Sequence, residues 1–161
     1  MTERSVTYTT FTIERSYPVA PARVFAAFAD AEAKARWADD PELLQADDSD
    51  SEFDFRVGGR ERFGFKMPDG PTYRYDALYY DIVPDQRIVY CYEMYADGAR
   101  ISVSVATIEL ARDAVGTNLT YTEQGAYLDG IDGPDAPELR EEDTTEMLEN
   151  LTGYLASQAA G

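Results

Sequence analysis

Polar and apolar residues alternate with a period of two along most of this chain. From Val6 to Ser16, Val6, Tyr8 and Thr10 oppose Thr7, Thr9, Phe11 and Ile13. The segment is rich in Thr, Tyr, Ile and Phe, which suit a half-buried strand. The period then changes. Pro21 stands where a helix tolerates a missing N–H, and Val24, Phe25 and Phe28 form a short apolar stripe behind it. Asp30 can cap a second short helix that runs to Trp37, and Pro41 stops it. Alternation resumes at Phe53, Phe55 and Val57, which predict the start of a second strand before the Gly58-Gly59 turn. Arg60 to Met67, Thr72 to Val83, Arg87 to Tyr95, Arg100 to Leu110 and Thr117 to Gln124 follow as strands. The turns between them are Pro68-Asp69-Gly70, Pro84-Asp85, Ala96-Asp97-Gly98 and Asp113 to Gly116. Phe53 to Gln124 therefore predicts an antiparallel meander of about six strands.

The segment from Ala126 to Leu139 carries Gly130, Gly133, Pro134 and Pro137 and predicts an irregular crossover. From about Pro137 to Ala160 the period is helical again, with Met147, Leu148, Leu151, Tyr154 and Leu155 on one side. Asp143 or Thr144 is the expected cap. Strand, two short helices, six strands and one long helix make an α+β domain in which a curved sheet grips a helix. One domain is expected over residues 1–161. The space between helix and sheet is where a small apolar ligand would sit. In Arg100 to Leu110 the apolar phase changes, from Ile101, Val103 and Val105 to Ala106, Ile108 and Leu110, which predicts a bulge near Val105.

Composition narrows the chemistry. The 161 residues hold 31 acids, 14 bases and no histidine, for a net charge of −17. Without histidine no Ser-His-Asp or Cys-His nucleophile can be built, and no His-bearing zinc site. Cys91 alone forms no internal disulfide, which fits a reducing compartment. The acidic balance opposes binding to nucleic acid and docking on anionic membranes. Residues 1–16 show no apolar leader-like run, so a soluble cytoplasmic protein is expected. Only Lys34 and Lys66 are lysines, a bias shared by salt-adapted proteins and by ordinary acidic surfaces. Eight acids and no base fall between Asp39 and Asp54. Asp48, Asp50 and Glu52 resemble the start of a calcium loop, but Phe53 replaces the glycine of its sixth position and Gly59 the glutamate of its twelfth. The run is read as a solvated loop. No cofactor and no metal is expected.

Four segments resemble the START-like helix-grip superfamily, also called SRPBCC or Bet v 1-like, in its branch similar to activators of heat-shock protein 90 ATPase. They are FTIERSYPVAPARVFAAFAD, ARWADDPE, FDFRVGGRERF, and TNLTYTEQG followed by MLENLTGYL. Their order covers Val6 to Ala160. The resemblance implies a curved antiparallel sheet of about seven strands around a long C-terminal helix, with a cavity between them. It implies no single activity, because the superfamily holds lipid carriers, cyclases, hormone receptors and co-chaperone domains. One departure concerns the closing helix. The branch commonly opens it with Gly-Trp, and Asp143 and Thr144 stand there in this chain.

Nine of the twelve tyrosines lie between Tyr73 and Tyr127. Tyr73, Tyr75 and Tyr79 share one face of their strand, with Tyr80 on the other; Ile88, Tyr90, Tyr92 and Met94 share a face of the next. Rings with hydroxyl tips suit a cavity for a planar, partly polar ligand, although tyrosine is also a good strand residue in its own right. Leu119, Tyr121 and Glu123 share a face of the last strand. If that face is inward, Glu123 reaches the cavity rim, where it accepts a ligand hydroxyl, acts as a base, or pairs with an arginine. The candidate cavity residues are Trp37, Phe65, Tyr75, Tyr90, Tyr92, Tyr121, Glu123 and Leu151. Glu93 is expected to point outward, Arg60 and Arg62 to pair with surface acids, and Cys91 to be an inert thiol. The expected function is binding of a small hydrophobic or aromatic ligand, by a monomer or homodimer. The alternatives are a polyketide cyclase or hydrolase-like enzyme that uses Tyr and Glu, and a co-chaperone-like interaction module.

Overall fold

The computed structural model describes residues 3–38 and 51–159. Pro41 and the acidic run up to Asp50, with its calcium-like start, lie outside the described residues.

Strand β1 (Val6–Tyr17) leads into α1 (Pro21–Ala29) and α2 (Ala31–Ala38). Pro21 occupies the first turn of α1. Asp30 ends one helix and starts the next: its N–H donates to the Ala26 carbonyl, and its Oδ1 accepts from Ala33 N at 2.9 Å. Strands β2 (Glu52–Phe53), β3 (Arg60–Lys66), β4 (Thr72–Val83), β5 (Arg87–Ala96), β6 (Ala99–Arg112) and β7 (Thr117–Leu128) follow, then helix α3 (Ala136–Ala159). All pair antiparallel in one seven-stranded sheet, ordered β1-β7-β6-β5-β4-β3-β2. The helix-grip architecture is thus present, with two short helices after the first strand. Among the described residues no helix is long and apolar enough to cross a membrane.

The short turns carry the local chemistry. Between β5 and β6 the two loop residues Asp97 and Gly98 both have positive φ, 47° and 84°. That is the conformation whose twist matches a two-residue hairpin, and it favours Asp-Gly. Four expectations need correction. Strand β2 stops at Phe53, because Gly58 N and Gly59 O then bond Tyr79 O and N directly (2.8 and 3.0 Å), replacing a continued strand. Strand β7 runs on to Leu128, paired to β1 along its whole length. Helix α3 begins at Ala136, so Asp143 and Thr144 lie inside it rather than capping it. The bulge in β6 is at Ile101, not near Val105: Met94 pairs with Ser102 and Tyr95 with Arg100, which leaves Ile101 extra. Ile101 and Ser102 both turn inward, whereas Val103 and Val105 face out.

The core lies between the concave face of the sheet and the helices. Leu148, Leu151 and Leu155 of α3, Val24 and Phe28 of α1, and Ile88, Ile108 and Leu119 of the sheet are buried in it. Trp37 of α2 closes one end, edge-on to Phe28 at 4.9 Å, with its indole N–H on the Ala27 carbonyl at 3.0 Å. Outward residues behave as ordinary surface. Arg60 pairs with Asp76, Arg62 lies near Glu52 and Asp76, and Glu93 accepts from Arg100 and Tyr95. Burial pushes the Cys91 thiol up, away from reactivity.

Candidate functional site: an aromatic cavity with a buried carboxylate behind its wall

Cross-strand rows on the inner face alternate large rings with small residues. One row runs Glu61, Ala77, Tyr92, Ser104, Gly125; the next runs Tyr79, Tyr90, Ala106, Glu123, Phe11. A ring beside an alanine, serine or glycine leaves room above the small residue. A cavity of about 240 Å³ results, between the sheet, α2 and α3. Its wall is a nearly continuous aromatic band: Phe63 to Tyr75 at 4.9 Å, Tyr75 to Tyr92 at 5.0 Å, Tyr92 to Tyr90 at 6.1 Å, Tyr90 to Tyr79 at 5.8 Å, and Tyr79 to Phe55 at 5.0 Å. Phe55, although outside any strand, joins this band.

Of the candidate residues, Trp37, Phe65, Tyr75, Tyr90, Tyr92 and Tyr121 line the cavity. The other two do not. Leu151 is fully buried in the core between α3 and the sheet. Glu123 is not at the rim: it has no exposed surface and lies behind the wall. Its Oε1 accepts hydrogen bonds from both the Tyr92 and Tyr121 hydroxyls at 2.8 Å. Its Oε2 has no hydrogen-bond partner among the described residues. The Arg140 guanidinium stands beside it, with Nη1 3.9 Å from Oε2.

Arg140 is the residue that sequence reasoning missed. It donates to the Tyr92 hydroxyl and to Ser102 Oγ, each at 3.0 Å, and its guanidinium lies 5.5 Å and 5.2 Å from the Tyr92 and Tyr127 rings. A signal for it existed. Arg140, Thr144, Leu148, Leu151 and Leu155 recur at intervals of three or four, so Arg140 belongs to the buried stripe of α3. Thr144 and Asp143, in place of the Gly-Trp of the resembling branch, also line the cavity.

A second buried carboxylate, Glu61 of β3, stands at the other side. Its Oε2 receives Lys34 Nζ at 2.6 Å and the Tyr79 hydroxyl at 2.7 Å. The electrostatics follow from burial. Desolvation pushes the hydroxyls of Tyr75, Tyr79, Tyr90, Tyr92 and Tyr121 above the ordinary tyrosine range, so they stay protonated at neutral pH. Burial also raises Glu123, opposed by its two tyrosine hydrogen bonds and by Arg140. Burial alone would lower Arg140, but Tyr92, Tyr127 and Glu123 outweigh it and hold the guanidinium charged.

The family model for activator of Hsp90 ATPase homolog 1-like proteins matches residues 18–156. The chain belongs to that family. Among solved structures it is similar to the Mll3558 protein of Rhizobium loti, at 48% identity over 93% of this chain and 99% of that one, with a TM-score of 0.82. A protein of Rhizobium leguminosarum is 41% identical over 97% and 99% of the two chains, with a TM-score of 0.87. Protein CV1439 of Chromobacterium violaceum is 27% identical over 89% and 95%, with a TM-score of 0.68. No curated protein matches the sequence.

Proposed function

We propose that this family member binds a small, flat, largely apolar molecule between its sheet and α3. The supporting observation is the aromatic cavity itself. A space of about 240 Å³ exceeds the roughly 150 Å³ that accepts benzene. It falls below the roughly 300–1,000 Å³ of drug-sized sites. It suits one or two fused rings. Apolar burial would supply the affinity, and the few polar atoms in the wall would set orientation. A co-chaperone adaptor, the other role that the family's descriptive name suggests, has no need of such an interior.

One observation favours a second reading, an acid/base enzyme: Tyr121 lines the cavity while its hydroxyl sits 2.8 Å from Glu123, a tyrosine backed by a carboxylate. The electrostatics oppose it. Catalytic groups work best with pKa values near the operating pH, and Tyr121 is pushed the other way. Binding is therefore the reading with more support. Native mass spectrometry of freshly purified protein, compared with its denatured mass, tests it. Extra mass lost on denaturation supports binding and names the ligand class. A bare mass, together with no binding in a screen of one- and two-ring aromatics, overturns it.

A further inference from the structure

Of the six hydroxyls that line the cavity among the described residues, those of Tyr79, Tyr92, Tyr121 and Thr144 have their protons already committed, while Tyr75 forms no close hydrogen bond and Tyr90 only a long one. Tyr92 and Tyr121 both donate to Glu123 Oε1. A hydroxyl has one proton, so neither has another to give. This holds whether Glu123 is ionised or carries its own proton on Oε2, the oxygen without a partner. Since the Tyr121 proton goes to the carboxylate, the proton in the 3.4 Å contact between Tyr90 and Tyr121 is that of Tyr90. That contact is long against the ~2.7–2.8 Å of a good O–H···O bond. At the other side the Tyr79 proton goes to Glu61, and on α3 the Thr144 hydroxyl donates to the Arg140 carbonyl at 2.8 Å. The oxygens of Tyr121, Tyr79 and Thr144 therefore turn lone pairs, not protons, toward the cavity.

Charge points the same way. The cavity's two cations are offset. Lys34 is held 2.6 Å from Glu61, and Arg140 is spent on Tyr92 and Ser102 with Glu123 behind it. Asp143 adds a further acid to the lining, and the whole chain carries −17. Neither of these two lining cations is left over for an anion.

We infer that the cavity selects aromatic ligands that donate a hydrogen bond, an aryl hydroxyl or aryl N–H, and that the phenolic oxygen of Tyr121 receives it. This deepens the binding reading and rests on it. A site whose buried polar atoms expect a partner discriminates strongly against an analogue that cannot supply one.

The experiment compares three probes of one size by calorimetric titration of the intact protein at pH 7: 2-naphthol, 2-methoxynaphthalene and 2-naphthoate. The naphthol should bind at least about tenfold more tightly than either of the others. In the Tyr121→Phe protein most of its advantage over the methoxy compound should vanish, while the methoxy compound keeps its affinity. The inference is overturned if the methoxy compound or the naphthoate binds as tightly as the naphthol, or if Tyr121→Phe retains the full preference. The wild-type series decides the matter even if that variant does not fold. Failure of all three probes to bind would instead overturn the binding reading beneath it.

Discussion

Glu61 and Glu123 are both buried acids on the inner face of one sheet, four strand steps apart, on the order of 19 Å along the curve. They are neutralised in different ways. Glu61 meets an ammonium at 2.6 Å and a hydroxyl at 2.7 Å on the same oxygen. The ammonium belongs to Lys34 of α2, so this pair fastens a helix to β3 of the sheet. Glu123 instead gathers two neutral hydroxyls, while its cation stands off at 3.9 Å. A close ion pair holds elements together and leaves little capacity for anything else. A carboxylate fed by hydroxyls sets the direction of their protons, and so the polarity of the cavity wall in front of it.

The largest effect should come from the looser site. Arg140→Met keeps the side-chain stem but removes the cation that stands 3.9 Å from a fully buried carboxylate and strips Ser102 and Tyr92 of a donor. Unfolding in urea should show a loss of about 3 kcal/mol. Lys34→Met should cost less, about 2 kcal/mol, because Lys34 and Glu61 retain some contact with water. The double variant Lys34→Met with Glu61→Met should recover most of that, since apolar replacement of a whole buried pair is often neutral. The matching double change at Arg140 and Glu123 should recover less, because Tyr92 and Tyr121 would lose their acceptor. Equal recovery at the two sites would erase the distinction drawn between them.

Two hydroxyl deletions sharpen it further. Tyr92→Phe removes one of the two donors of Glu123 and an acceptor of Arg140, and should cost about 1.5 kcal/mol. Tyr79→Phe leaves Glu61 with Lys34 and should cost about 1 kcal/mol. A larger loss at Tyr79 than at Tyr92 would mean that the Glu61 pair depends on its hydroxyl more than on its ammonium.

Much of this fold was legible in the residues. Pro21, Asp30 and Asp97-Gly98 punctuate the chain where local physics requires, and Leu148, Leu151 and Leu155 mark the buried side of α3. The aromatic wall was legible too, because tyrosines at alternate positions must share a face. What escaped was polarity inside the core. Strand β6 has apolar side chains on both faces, so its phase could not be read from hydrophobicity. Two outward valines suggest a bulge near Val105, whereas the inward Ser102 marks the polar region beside Arg140. Arg140 itself lies in ELREE, where three acids disguise the single inward base. An acid is seldom fully buried, which points Glu123 to a rim; three side chains, one on β5, one on β7 itself and one on α3, combine to allow its burial.

The smallest effect is a dependence on pH, and its sign is fixed by burial. The folded-state pKa of Glu123 lies above its ordinary value, through desolvation that its two tyrosines and Arg140 only partly offset. Below the ordinary glutamate pKa of about 4.3 the residue is protonated in folded and unfolded chains alike, and its contribution to stability is fully present. As pH rises through the raised folded value, the unfolded chain releases this proton more readily, and the contribution is lost. Glu123→Gln keeps the shape and the oxygen acceptor but does not titrate. The stability of the native protein minus that of the glutamine variant should therefore fall as pH rises from acid toward neutrality. The repulsion among the other acids is common to both proteins and cancels. In an Arg140→Met background the fall should shift to higher pH, because the cation that opposes burial is gone. A difference that stays flat or rises with pH would show that the hydroxyls and Arg140 stabilise the charged carboxylate at least as much as burial penalises it.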